Sequence, residues 1–223
     1  CSGVFAAVVR PSEKHLYIRN GMAKPAVSPN YQTGRNIMKK TNIVKSLMLM
    51  AALLPLTAQA AQNTELSSFG KPPKGFKVGY QTEQNGMMMI ELVPKKQTVD
   101  NWTQMVTLQT MQGANPGIAD FRNAVFASWQ NACPKSSTLT VREGEENGYP
   151  FALWQLICES NPQTGKPEYT WMKAVQGENA FYVKQYAFRY APNKAEVGNA
   201  MGHLRDLAVC NNSAKHPCGK SGK

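Results

Sequence analysis

Few side chains beyond residue 60 could do covalent or metal chemistry. They are four cysteines and two histidines: Cys133, Cys158, Cys210, Cys218, His203 and His216. No HExxH motif supplies a zinc site, and no GxSxG motif surrounds a serine. The sequence therefore predicts no catalytic residue, no metal site and no cofactor.

Residues 38–60 indicate the compartment in which these cysteines fold, because they have the three parts of a secretory signal peptide. Lysines open the segment, an apolar run follows, and small residues end it: Lys39, Lys40, Lys45, Leu47–Leu56, Ala58 and Ala60. The apolar run is far shorter than the ~20 residues that span a bilayer. We expect cleavage before Ala61, a periplasmic location and no transmembrane anchor in the mature form.

A signal peptide at this position predicts that translation starts at Met38 and that residues 1–37 are untranslated or disordered. The whole chain carries 25 Lys and Arg against 14 Asp and Glu, a net charge of +11. Residues 1–60 contribute +7 of this, so the mature part carries only +4. Such a mild surplus is a weak argument for a polyanionic partner, and we expect no nucleic acid.

An even number of cysteines in an exported chain indicates two disulfides. Of the three connectivities, we favour Cys133–Cys158, which would join a helix end to a strand, and Cys210–Cys218, which would close a short loop. Chain entropy gives the first a stabilisation on the order of 3 kcal/mol and the second about 2.5 kcal/mol. The chain has no CxxC motif, and disulfides leave no thiol for a Cys–His dyad.

Two other groups of residues could carry chemistry, but a structural role explains each of them better. Glu143, Glu145 and Glu146 precede a turn, where acids are usually solvated, whereas a glycosidase needs two carboxyls facing each other across a cleft. Met87-Met88-Met89 offers thioethers for Cu(I). Adjacent strand residues point to opposite faces, so we favour core packing for the methionines.

Alternating and turn-rich patterns predict seven strands: Phe76–Thr82, Met87–Pro94, Trp102–Met111, Thr138–Gly144, Phe151–Glu159, Tyr169–Gln176 and Ala180–Tyr190. Asn85-Gly86 and Asn147-Gly148 are typical of tight hairpin turns. Apolar residues at helical spacing predict one helix opened by Asn115-Pro116-Gly117 and ending near Cys133, and another begun by Pro192-Asn193 and ending at Cys210. Asn193 with Glu196 resembles a capping box.

The order βββ-α-ββββ-α predicts an α+β fold, an antiparallel sheet of six to seven strands with helices packed on it. Residues 76–210 would form this single domain. Residues 61–75 are expected to be a flexible leader, and residues 211–223 a basic C-terminal tail held near its start by the second disulfide.

An aromatic and basic set on two of the predicted strands is the best candidate for a partner-binding surface: Tyr169, Trp171, Lys173, Tyr182, Lys184 and Tyr186. If helices covered only one face of the sheet, some of these rings would lie on the open face beside the lysines. Such a surface would suit a protein or a glycan. The alternative is that the rings are hydrophobic core.

Three segments resemble known exported proteins: ELVPKKQTVDNWTQMVTLQ (91–109), NGYPFALWQLIC (147–158) and WMKAVQGENAFYVKQYAFR (171–189). With Cys133, they are similar to small exported proteins of Gram-negative bacteria without an assigned activity. The order of elements resembles the PsbP-like fold of the extrinsic photosystem subunits and the DcrB group. That resemblance implies a non-enzymatic accessory or binding module, and it supplies no catalytic motif.

We therefore expect a non-enzymatic binding or adaptor protein of the cell envelope, whose partner is another envelope protein or a glycan. A second hypothesis is a periplasmic inhibitor or immunity protein that neutralises a toxic enzyme. A deep cleft that gathers His203 with carboxylates would favour an enzyme instead.

Overall fold

The structure, a computed structural model, describes residues 64–218. These residues form nine strands and two helices: β1 Leu66–Ser68, β2 Phe76–Gln84, β3 Met87–Pro94, β4 Gln104–Gln112, α1 Ile118–Ala132, β5 Ser136–Glu146, β6 Tyr149–Cys158, β7 Glu168–Gln176, β8 Ala180–Phe188, α2 Lys194–Arg205 and β9 Ala208–Cys210. The predicted signal peptide and the stretch before it lie outside the described residues.

Two Asn-Gly turns build the hairpins at the two edges of the main sheet. Asn85 and Gly86 have φ angles of 51° and 76°, and Asn147 and Gly148 have φ angles of 54° and 78°. Asparagine and glycine tolerate this left-handed region, so each pair closes a two-residue turn. The first turn joins β2 to β3 and the second joins β5 to β6.

The main sheet has seven antiparallel strands in the order β2-β3-β4-β8-β7-β6-β5. A second sheet pairs β1 with β9, also antiparallel. This architecture confirms the α+β fold class and the antiparallel sheet. β2 and β5 are the two edges of the main sheet.

The two helices pack on opposite faces of the main sheet. On the α1 face, Phe121, Val125 and Trp129 of α1 are buried against Trp154 and Phe181. The Cys133–Cys158 disulfide closes one end of this core. The helix α1 packs mainly on β5, β6 and β7.

On the α2 face, Ala200 and Leu204 of α2 are buried against Trp171, Tyr186 and Phe188. The helix packs mainly on β7 and β8. The small β1–β9 sheet extends this cover, because Leu207 and Val209 pack in a cluster with Tyr182.

Both favoured disulfides are present. Cys133 and Cys158 lie 6.0 Å apart between Cα atoms, and Cys210 and Cys218 lie 4.9 Å apart. The first joins the end of α1 to β6 in the buried core, and the second closes a partly exposed loop after β9. The predicted connectivity is confirmed.

Two local expectations differ from the structure. The leader was expected to be flexible, but Leu66–Ser68 forms β1 by pairing with β9, a distant partner that local sequence does not reveal. The last helix ends at Arg205, and Ala208–Cys210 forms β9 instead of continuing it. In the C-terminal tail, His216 is buried. Within residues 64–218, no helix is long and apolar enough to cross a membrane.

Candidate functional site

The predicted aromatic and basic residues lie on one face of the sheet, because the register of β7 with β8 brings their two strand faces together. Trp171 pairs with Tyr186 across β7 and β8, and Lys173 pairs with Lys184. Cross-strand partners share a face, so both pairs belong to the α2 face together with Tyr182.

That face is not open, however, and the predicted surface is wrong. Exposed fractions are 6% for Trp171, 4% for Lys173, 4% for Tyr182, 2% for Lys184 and 4% for Tyr186. Of the predicted set only Tyr169 is partly exposed. The expectation failed because it required both helices to lie on the same face, whereas α2 covers these rings and α1 covers the other face. The rings are hydrophobic core.

The two buried lysines join the main sheet to the elements above it. Lys173 donates to the carbonyl of Leu207 over 2.8 Å and forms an ion pair with Glu146. Lys184 donates to the carbonyl of Phe69. Burial lowers the pKa of Lys184 to about 8, against the attraction of Asp206, and the like charge of Lys173 lowers it further. Buried cations paired in this way hold segments together rather than face a ligand.

His203 lies at the end of α2 beside an open depression of about 370 Å³ lined by Asn199, Gly202, His203, Arg205 and Asp206. Its Nδ1 atom is 3.9 Å from Oδ2 of Asp206. Burial lowers its pKa, and the charge of Lys184 adds to this effect. The depression gathers one carboxylate beside His203, so this is not the deep cleft with several carboxylates that would favour an enzyme.

A buried histidine in the C-terminal loop was missed by sequence reasoning. The ring of His216 stacks on Tyr149 at 4.0 Å between centroids. Its Nε2 lies 3.0 Å from Oε1 of Glu178, and its Nδ1 lies 3.1 Å from the carbonyl of Asn147. Burial, with the charges of Glu65 and Glu178, raises the pKa of Tyr149 above its ordinary value. These contacts fasten the disulfide-closed loop to the Asn147-Gly148 turn.

Glu168 is a second residue that the sequence did not single out. It is 4% exposed at the start of β7, and burial raises its pKa to about 7 although Arg189 attracts its charged form. Arg189 also stacks on Trp102, with its guanidinium carbon 4.1 Å from the ring centroid. Only the pairing of β7 with β8 brings Glu168 and Arg189 together, so local sequence carried no sign of it.

The remaining groups do not converge on a site. Glu143 forms an ion pair with Arg122 of α1, and Glu146 pairs with Lys173. Met89 accepts a hydrogen bond from Gln109 over 3.4 Å. Within residues 64–218, no group of three or more His, Cys, Asp or Glu side chains could hold a metal ion.

The α2 face is left incompletely covered over β2, β3 and β4, where apolar side chains remain accessible. We call this surface the α2 groove and refer to its strand residues Phe76, Val78, Ile90 and Leu108 as the floor and to the α2 residues Val197 and Met201 as the wall; all but Val78 pack against one buried cluster, and Val78 adjoins it as the cross-strand partner of Leu92. Val78 is 55% exposed, and the other five are partly exposed. The floor is contiguous because Val78 pairs with Leu92 and Ile90 pairs with Leu108 across neighbouring strands.

Comparison with known proteins identifies no family. No family model matches the chain, and no curated protein matches it. Among solved structures, the chain is similar to LpqN of Mycobacterium tuberculosis, which is described as involved in cell envelope biogenesis. The TM-score is 0.33 at 9% sequence identity, over 68% of this chain and 86% of that one. A likeness at this level establishes neither a shared fold nor a shared function.

Proposed function

We propose that this chain is a non-enzymatic binding protein of the periplasm, and that its α2 groove binds another protein of the cell envelope. The observation that carries the proposal is the apolar floor of the groove, with Val78 55% exposed at its edge. A contiguous apolar surface beside a helix fits an apolar or amphipathic protein segment.

A protein suits this groove better than a glycan does. Glycan-binding surfaces present exposed aromatic rings, and here Trp171, Tyr182 and Tyr186 are buried. The groove floor instead offers three aliphatic side chains, Val78, Ile90 and Leu108, beside the single ring of Phe76. Such a floor binds apolar side chains of a partner through dispersion contacts and the release of water from both surfaces.

The periplasm is supported by two features of the chain. Disulfides form and persist in oxidising compartments, and the chain has two of them. Residues 38–60 have the sequence pattern of a secretory signal peptide, which would direct the chain there.

The test is affinity capture from periplasmic extract with immobilised protein expressed from the full-length chain. Val78→Asp places a charge on the groove floor and should abolish capture of a specific protein, because an unpaired charge would be desolvated there. Leu66→Asp is the matched control, since Leu66 is 49% exposed but lies on β1. Equal capture by the two variants would contradict the proposal.

A further inference from the structure

The edge strand β5 has an unprotected half. Ser136–Val141 contains no charged residue, and Leu139 and Val141 are 60% and 46% exposed. Edge strands are normally guarded by charges or bulges against pairing with another chain. Here the register shift lies at Val141, between Thr140 and Arg142, and the acids follow it, so bulge and charges guard the strand from Val141 onward and leave Ser136–Thr140 unguarded.

In this half of β5, the backbone N–H and C=O groups of Thr138 and Thr140 point away from the sheet. Pro150 pairs with Glu145 and has no N–H, so that pair lacks ladder hydrogen bonds. Residues along β6 form ladder hydrogen bonds alternately with β5 and with β7. Because Pro150 forms none with β5, the even-numbered residues of β6 are those that bond to β7. Thr140 pairs with Trp154 and Thr138 pairs with Leu156. The amides and carbonyls of both threonines therefore face the free edge, where no described strand pairs with them.

The sequence at this edge is complementary to itself. Thr138-Leu139-Thr140 reads the same in both directions. If a two-fold axis passes through Leu139, then Thr138 of one copy lies opposite Thr140 of the other. The backbone N–H and C=O groups of these two threonines are then in register to hydrogen-bond with each other. The two Leu139 side chains then meet at a non-hydrogen-bonded position, where side chains approach most closely.

Charge selects the antiparallel arrangement of two copies. Lys135 precedes the uncharged run, and Arg142 with three acids, Glu143, Glu145 and Glu146, follows it, so the second half carries a net charge of −2. Antiparallel pairing brings Lys135 of one copy toward the acidic half of the other, whereas parallel pairing would place like charges side by side. Opposite charges across an interface favour association and fix its register.

We propose that β5 is the interface of a two-fold symmetric dimer of this chain. The two seven-stranded sheets join through β5 into one continuous sheet of fourteen strands. The uncharged pairing is short, so the dimer is weak, with a dissociation constant of roughly 1–100 µM. Each α2 groove lies toward the opposite edge, at β2, so the dimer carries one groove at each end and the interface is independent of the proposed function.

The test is sedimentation equilibrium of protein expressed from the full-length chain and purified with both disulfides formed. We expect a concentration-dependent dimer. Thr140→Pro removes one outward N–H from each copy without touching the β5–β6 ladder, and should weaken the dimer by roughly thirtyfold. Thr140→Val keeps the amide and should leave it unchanged. A wild-type protein that stays monomeric at submillimolar concentration would overturn the proposal.

Two side-chain variants keep the test decisive if Thr140→Pro disturbs the fold. Leu139→Lys places two cations opposite each other at the two-fold axis and should therefore give a monomer. Because residue 139 is exposed to solvent, the substitution should leave folding intact. Leu139→Cys should give a covalent dimer on oxidation, because the short Cα separation at such a pair suits a disulfide. A dimer that survives Leu139→Lys, or a Leu139→Cys protein that never crosslinks, would show that another surface is used.

Discussion

The two ends of the main sheet are built differently. At the β5–β6 end, α1 covers one face, a disulfide joins the end of that helix to β6, and Arg122 of α1 pairs with Glu143 of β5. At the β2–β4 end, the described residues include no disulfide, and the α2 groove leaves apolar side chains exposed. We infer that the fastened end supplies stability, and we propose that the other end carries the binding surface.

The largest expected effect comes from cutting the fastened end. Cys133→Ala with Cys158→Ala releases a crosslink with a sequence separation of 25 residues, and chain entropy puts the cost near 3.5 kcal/mol of unfolding free energy. Cys210→Ala with Cys218→Ala, with a separation of 8, should cost about 2.5 kcal/mol. Denaturant unfolding of both variants measures the difference. Equal losses, or a larger loss at the C-terminal loop, would contradict the assigned role of the fastened end.

A pH-dependent loss of similar size is expected from Glu168. Its pKa is about 7 in the folded protein against 4.5 when exposed, so the folded state holds the proton more tightly. Stability is therefore full below pH 4.5, falls as the pH rises toward 7, and is lower by about 3 kcal/mol above that. Glu168→Gln should remove this part of the pH dependence. The comparison of unfolding free energies at pH 5 and pH 8 measures it, and a variant with the wild-type slope would refute it.

A smaller effect is expected at the start of α2, the wall of the groove. Asn193 accepts a hydrogen bond from the amide of Glu196 over 3.0 Å, and the side chain of Glu196 accepts one from the amide of Asn193 over 2.8 Å. Asn193→Ala should cost about 1 kcal/mol of unfolding free energy, whereas Asn193→Ser should cost much less. Thermal unfolding of the two variants measures the difference. Equal losses of stability would show that the cap at residue 193 does not stabilise α2.

The smallest effect on stability is expected at the groove floor itself. Val78 is 55% exposed, so Val78→Asp should change the unfolding free energy by no more than about 0.5 kcal/mol while capture of the partner is lost. A large loss of stability would show instead that Val78 supports the fold.

The sequence predicted well what local pattern determines. β3 has the bounds expected from alternation, the Asn-Gly turns lie where they were expected, and Asn193 caps α2. Strand alternation also placed Tyr169 with Trp171 on one face of β7, and Tyr182 with Tyr186 on one face of β8; the register of the two strands then makes these the same face of the sheet. Each of these features depends on residues close in sequence or on a strict period of two.

What the sequence could not predict depends on distant pairing. The pairing of β1 with β9 joins the two ends of the domain, and nothing in Leu66–Ser68 identifies its partner. The face covered by α2 depends on how the chain crosses the sheet after β8, so the same aromatic residues could have been surface or core. The groove depends on the packing of α2 on β7 and β8, which local sequence does not determine.

Photo-crosslinking in living cells tests the central claim most directly. A crosslinking residue at position 78 lies on the groove floor, and one at position 66 is similarly exposed on β1. We expect one protein adduct of defined mass at position 78 and none at position 66. Adducts of the same kind at both positions, or none at position 78, would contradict the assignment of the α2 groove as the binding surface.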